Sequence, residues 1–409
     1  MELSRSQRQF AAEWINSLIP KELQGENIPE DLLILVFREL SRQEEIECDR
    51  RDQWGNWEWP FSQAAIDGTL WIPRLDIAIN DWIKSISSTK SLFQWPDHKH
   101  FAICLTHDVD FISRRTITRN HLNELIRRCW KIREGRFQFI VSYLFRSLVK
   151  YFAGPFLRFN HEDEYHQFDL CIELEAKYGF KSTFFFLAEN LPQPHTWDCG
   201  YCYDDPVSFF GQRTTVRGMI SEMLQRGCDV GLHGSYYSAI NPGFLKEEKQ
   251  QLENCAGTQI SSVRHHYLHY DAGITPSLHQ QAGLTIDSTI GFNRTIGFRS
   301  GTAFPYYCWD HQAQHTTNVL EVPLHLMDGS LLTSQGLECD TVMATTYIRM
   351  MMDRVASVGG CLTINWHPSW MSLKQYRKVY EFILKEAYQR NGWGCSINEL
   401  YKYWLDMRL

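Results

Sequence analysis

Apolar positions recur at helical spacing over residues 2–19 and again over 29–45, which predicts two amphipathic helices. A tryptophan-rich stretch, 54–59, follows, and the apolar run 77–83 has the character of a segment packed against the rest of the protein. Residues 85–100, with several serines, Lys90 and Pro96, read as a boundary. Past it, residues 101–105 are uninterruptedly apolar and predict a buried strand. From 163 onward helical and strand patterns alternate. Helices are expected over 163–178, 215–226, 341–357 and 373–390, and another runs through 253 with Asn241 and Pro242 at its start. A short one begins at 275 and is closed by Gly283. Strands are expected over 182–187, 229–232, 262–267, 284–286, 319–326 with Pro323 inside it, and 361–366 as the last. Repeated strand–helix units imply an α/β fold with a parallel sheet or barrel. Functional side chains then belong at the C-terminal ends of the strands, where Asp108, Asp110, His233 and His367 all fall.

The stretch Thr106, His107, Asp108, Val109, Asp110 carries the most pointed chemistry. Alternation along a strand puts Thr106, Asp108 and Asp110 on one face and His107 and Val109 on the other. Two carboxylates on one face repel unless a cation lies between them, so one reading is a metal ligand beside a general base. The other is a strand ending in an Asx turn with solvated carboxylates. On the last strand Thr363, Asn365 and His367 likewise share a face, consistent with a polar interior.

Composition narrows the field. A net charge of -7 gives no global reason to expect nucleic acid as a partner. The twelve cysteines are scattered, and no signal-type apolar core opens the chain, which together predict reduced thiols and a cytoplasmic protein. Cys199 and Cys202 have the spacing of a metal or redox pair without a second pair to match, and read as loop thiols. Residues 111–158 hold eleven Lys or Arg against Glu124 and Glu134. Their helical apolar spacing fits either a hairpin covering the catalytic domain or an amphipathic surface in peripheral contact with the inner face of a membrane.

Five segments in order resemble the polysaccharide deacetylase family, the NodB-like group also known as carbohydrate esterase family 4. They are 106–110, 181–186, 232–238, 263–267 and 362–368. Residues 287–292, 297–302 and 327–329 are similar to the cytoplasmic branch of that family associated with surface-glycan biosynthesis, whose members carry an extra N-terminal block. The resemblance implies a distorted (β/α)7-type barrel over residues 96–409, with a basic helical insertion at about 111–160 and a smaller N-terminal accessory domain over 1–95. It implies a divalent metal, zinc by preference. Asp110 matches the metal-binding aspartate, His233 the first metal histidine, Asp108 the catalytic base, Arg264 the arginine that pairs with the base, and His367 the general acid.

One position departs from the pattern. Where the family has a second histidine four residues after the first, this chain has Tyr237. Two protein ligands are too few for a catalytic centre, and His266, on the same strand face as Arg264 with His265 pointing away, is read either as the replacement ligand or as a hydrogen-bonded core histidine with no metal bound. Arg299 is read either as a holder of a substrate carboxylate or phosphate or as the partner of a core acid. Asp328 is read as a substrate-positioning residue or a turn aspartate, and Tyr237 and Trp366 complete the candidate substrate-binding set. The function expected is metal-dependent removal of an N-acyl group, N-acetyl above all, from an amino sugar of a nucleotide-linked or lipid-linked glycan precursor. The alternatives are a metal-free carbohydrate-binding pseudoenzyme and a hydrolase of another non-peptide C–N bond.

Overall fold

The computed structural model describes residues 2–87, 93–113 and 165–407. The basic region expected at 111–158 therefore lies, but for its first three residues, outside the described part of the chain.

The centre of the fold is β1 (Phe101–Val109), buried along its whole length. On one side it pairs with β11 (Cys361–Asn365), in a register that sets Thr106 beside Asn365. Its first half also pairs with β12 (Gly392–Cys395) and its second half with β2 (Thr183–Phe186). Beyond β2 the parallel sheet continues through β5 (Asp229–Gly234), β6 (Ser262–His265), β7 (Ile286–Asp287) and β9 (His315–Glu321). β10 (Leu326–Met327) lies outside β11 at the other edge, and β8 (Tyr306–Asp310) pairs antiparallel with β9. A separate hairpin is formed by β3 (Pro206–Phe209) and β4 (Gln212–Thr215).

The sheet is curled. Three strand spacings separate β1 from β6, about 14 Å across a flat sheet. Yet the Arg264 guanidinium on β6 reaches Thr106 Oγ1 at 2.6 Å and Asp108 Oδ1 at 3.1 Å on β1. Only a rolled sheet brings those side chains together in its interior. The fold is thus the expected α/β half-barrel, with helices such as Val216–Gln225, Pro242–Ala256, Thr341–Val358 and Lys374–Gln389 on its outer face.

Three sequence expectations need correction. The strand predicted over 319–326 starts earlier and ends at Glu321, leaving Pro323, which has no N–H to give a ladder, past its end. Residues 361–366 are not the last strand, because the glycine-rich β12 follows; its two glycines gave no apolar alternation to read. The strand expected over 262–267 stops at His265, since Tyr267 and Leu268 take left-handed backbone conformations.

Residues 2–87, compositionally distinct as they are, share one apolar core with the sheet. Phe10 of the helix Arg5–Leu18 and Phe37 of the helix Glu30–Leu40 meet Trp309 of β8 edge-on, at ring distances of 5.3 and 5.4 Å. Trp14 Nε1 donates to the Pro305 carbonyl, and Asp76 accepts from Thr302 Oγ1 and the Ala303 N–H. These helices cover the β8 edge, which would otherwise present unpaired backbone.

Candidate active site and metal centre

β1 delivers Asp108 near its end and Asp110 just past it. Each Asp108 oxygen has its own donor: Arg264 Nη1 at 3.1 Å on Oδ1 and Asn365 Nδ2 at 2.7 Å on Oδ2. Asn365 Oδ1 in turn accepts from the Asp108 N–H, so the amide grips both the side chain and the backbone of that residue. Arg264 has no exposed surface; its Nε donates to the Ser288 carbonyl and its Nη2 to Ser288 Oγ, and its guanidinium lies 4.8 Å over the Phe185 ring. His107 faces the other way, as alternation requires, and is bonded to the Trp366 carbonyl and Glu175.

Around Asp110 stand three imidazoles. His233 Nε2 is 3.2 Å and His266 Nε2 3.7 Å from Oδ1, while His367 Nε2 is 3.5 Å from Oδ2. Burial works against a charge on Asp110, but the hydrogen bond from His233 and the three histidines hold its carboxyl far below the usual range. Burial also opposes protonation of His233, and Asp108 and Asp110 outweigh it, raising that residue.

Asp110, His233 and His266 each offer one ligand atom, all within 4.8 Å of one another. Adjacent ligands around an ion with bonds of roughly 2.1 Å lie about 3–4 Å apart, a range that the two imidazole–carboxylate separations of 3.2 and 3.7 Å meet, so the set is a candidate holder of a divalent metal. The outer nitrogens support this. His233 Nδ1 meets the Arg264 carbonyl at 2.8 Å, and since a carbonyl only accepts, Nδ1 keeps its hydrogen; the proton shared with Asp110 is the one a metal would displace, turning the Nε2 lone pair toward the cluster. His266 Nδ1 faces Asp198 Oδ1 at 3.3 Å with the same consequence. Asp198 is itself fixed by the backbone N–H groups of His195 and Tyr236. The Cys199 thiol lies 3.9 Å from His266 Nε2.

His367 is joined to Asp328 through both its backbone N–H and Nδ1, at 2.8 and 2.6 Å. Burial alone would lower its basicity, but Asp328, helped by Asp110 and Asp108, pushes it up to about 10. These carboxylates favour the protonated ring. The cluster, Asp108 and His367 open into one cavity of about 330 Å³, which Phe111, Trp54, Tyr267 and Trp370 also border. Asn293, Thr333, Ser334 and Gln335 add neutral polar groups to its wall.

Several solved structures follow a similar backbone course. A protein from Mycobacterium smegmatis described as a polysaccharide deacetylase aligns over 78% of this chain and 94% of its own, at 15% identity and a TM-score of 0.48. The allantoinase PuuE aligns over 76% and 92%, at 14% identity and a TM-score of 0.46. A protein from Pseudomonas aeruginosa PAO1 described as a polysaccharide deacetylase aligns over 76% and 92%, at 13% identity and a TM-score of 0.45. No protein-family profile and no curated protein matches the sequence. The chemistry of the site rests on its own geometry.

The structure brings Asp108, Asp110, His233, Arg264, His266 and His367 together. His266 arrives by a different route than strand alternation: it opens the turn after β6, and the left-handed pair Tyr267 and Leu268, each costing about 1–2 kcal/mol for a non-glycine residue, follows it. His265 does point away, bonded to His279 at 2.8 Å.

The substrate-binding expectations fare differently. Arg299 is buried against Glu45, with Nε and Nη2 on the two carboxylate oxygens at 2.9 and 2.8 Å, which is the core-acid alternative. Trp366 is fully buried and stacks on Tyr380, because its position in β11's alternation points it outward into the helix layer. Tyr237 stands against His195 and Tyr236 and is not among the residues bordering the cavity. Asp328 is fully buried behind His367 and orients that ring. Sequence reading missed the roles of Asn365, Asp198, Trp54 and Trp370. Asn365 was within reach, two residues before His367 on one strand face; Asp198 and Trp54 lie in stretches with no periodicity to read.

Proposed function

We propose that this chain is a metal-dependent hydrolase that removes an N-acyl group, N-acetyl in the first instance, from an amino sugar of a glycan precursor. The observation that carries the reading is that Asp108, gripped on both oxygens, and His367, held at Nδ1 by Asp328, border one cavity with the Asp110, His233 and His266 cluster. A bound divalent ion supplies Lewis acidity toward an amide oxygen and toward water. Asp108 is a fixed carboxylate with room left on each oxygen, placed to take a proton from an attacking water. His367 holds its proton at Nε2, because Asp328 occupies Nδ1, and gives it to the departing nitrogen as the C–N bond breaks. Arg264 and Asn365 keep the base in one orientation.

The cavity wall supports a sugar. Its aromatic faces and edges offer apolar contact to a pyranose ring, and its neutral amides and hydroxyls offer partners for hydroxyl groups. One carboxylate and two imidazoles suit zinc, our proposed metal, among several divalent ions. A nucleotide-linked or lipid-linked precursor on the cytoplasmic side remains the proposed form of the substrate. Among the described residues no helix is long and apolar enough to cross a membrane.

The test is elemental analysis of protein prepared without chelators, followed by assays for amine release from N-acetylated amino sugars. About one equivalent of metal, with activity lost on chelation and restored by zinc, supports the reading. Protein that holds no metal and binds such sugars without cleaving them would establish a carbohydrate-binding protein instead.

A further inference from the structure

The turn that carries His266 is held from outside the sheet. Tyr267 has φ 57° and Leu268 φ 51°, conformations that side-chain-bearing residues keep only when their surroundings fix them. The Tyr267 carbonyl, freed by that geometry, receives two amide donors: Asn293 Nδ2 at 2.6 Å and Asn56 Nδ2 at 2.8 Å. Asn56 belongs to the N-terminal segment, and its Oδ1 accepts from the Tyr270 N–H at 3.3 Å, so one side chain spans the turn. Asn56 is itself locked. Asp52 Oδ1 accepts from the N–H groups of Trp54 and Asn56, and the Asp52 N–H donates to the Asn56 carbonyl. Trp54 stacks on the Tyr267 ring at 5.9 Å, and its carbonyl accepts from Tyr236 Oη. Gly55 at φ +76° lets this loop pass close to Tyr236; a Cβ there would lie 2.5 Å from the hydroxyl.

We propose that Asn56 is a positioning residue for the metal centre: the N-terminal segment, through its 51–57 loop, sets the backbone that presents His266 to Asp110 and His233. The inference rests on reading that cluster as a metal site. It gives residues 2–87 a role at the centre itself, since the ligand departing from strand geometry is the one their loop braces.

The experiment measures zinc affinity of the full-length chain by competition with a chromophoric chelator, together with the visible spectrum of the cobalt-substituted protein. Parent, Asn56→Ala, Asn293→Ala and His266→Ala are compared, each checked for fold by circular dichroism. Loss of an outer-shell partner typically weakens metal binding about 10–100-fold, and we expect a loss in that range for folded Asn56→Ala, with cobalt bands moving toward those of His266→Ala. Parent affinity and parent bands in Asn56→Ala overturn the proposal, even if its melting temperature falls, because Asn56 is then only structural. Should the alanine variant not fold, Asn56→Asp keeps the size and the acceptor for Tyr270 but loses the donor to Tyr267, and the same two readouts decide. A parent protein that binds no zinc sinks the metal-centre reading itself, a result distinct from equal binding by parent and variant.

Discussion

Asp328 holds His367 at two points, one carboxylate oxygen on the backbone N–H at 2.8 Å and the other on Nδ1 at 2.6 Å. The same contact that orients the ring raises its basicity. If protonated His367 is the general acid, activity is lost as pH rises through its pKa, and removing the Asp328 charge lowers that pKa. Asp328→Asn is therefore expected to move the alkaline limb of the kcat/KM profile to lower pH. His367→Gln should cost about 10²–10⁴-fold in kcat with metal content retained. An unmoved alkaline limb in Asp328→Asn would remove His367 from the acid role.

The candidate metal ligands are separable from their surroundings. His266→Ala is expected to lose most bound zinc by elemental analysis, leaving only two protein ligands. Tyr237→Phe should match the parent, because that ring lies against His195 and Tyr236. Metal retained in full by His266→Ala would disprove the relocated ligand.

Arg299 belongs to stability and not to substrate binding. With Arg42 it neutralises Glu45, whose carboxyl burial would raise but whose two arginines bring it down to about 2. Arg299→Met leaves that buried acid with one partner. Chemical denaturation should show a loss of about 3–5 kcal/mol, with the KM of the folded fraction unchanged.

Two buried histidines each contribute stability that is lost in mild acid. His325 is buried between the Thr302 carbonyl on Nε2 and the Thr363 N–H on Nδ1, a pairing that needs the neutral ring, and burial lowers its pKa to about 4. Burial holds His279 lower still, at about 3. Between their ordinary value near 6.5 and these values, the unfolded chain binds protons that the folded chain does not. The contribution is full above about pH 6.5 and is lost as pH falls toward 4, at up to about 1.4 kcal/mol per pH unit for each ring. Burial raises Asp76 and Glu248 to about 7, so these carboxyls bind protons in the folded chain over the same range and act in the opposite sense. The histidine share is therefore read by difference: urea unfolding at pH 7, 6 and 5 should give slopes for parent and His325→Asn that differ by about one ring's share. An identical slope in both proteins would clear His325 of the effect.

What sequence made legible followed from period. The apolar run of β1 placed Asp108 and His107 on opposite faces, and both are found there. The same rule, extended past His265, reached the right residue in His266 by a wrong path, because nothing in the sequence announces a left-handed Tyr267. Trp366 was expected to touch substrate against the same rule: alternation from Asn365 puts it outside the barrel interior, where it is found stacked on Tyr380. Asn56 and Asp198 act from loops, where side chains are aimed by contacts distant in the chain and no local pattern records them.

Arg264 serves two neighbours with two different parts of itself. Its guanidinium grips Asp108, and its backbone carbonyl accepts a hydrogen bond from His233 Nδ1. Side-chain replacement erases the first function and spares the second. One locus thus lets the grip on the base be loosened, with Asn365 alone remaining on Asp108, while the orientation of His233 is kept: such a substituted chain is expected to separate metal occupancy from turnover.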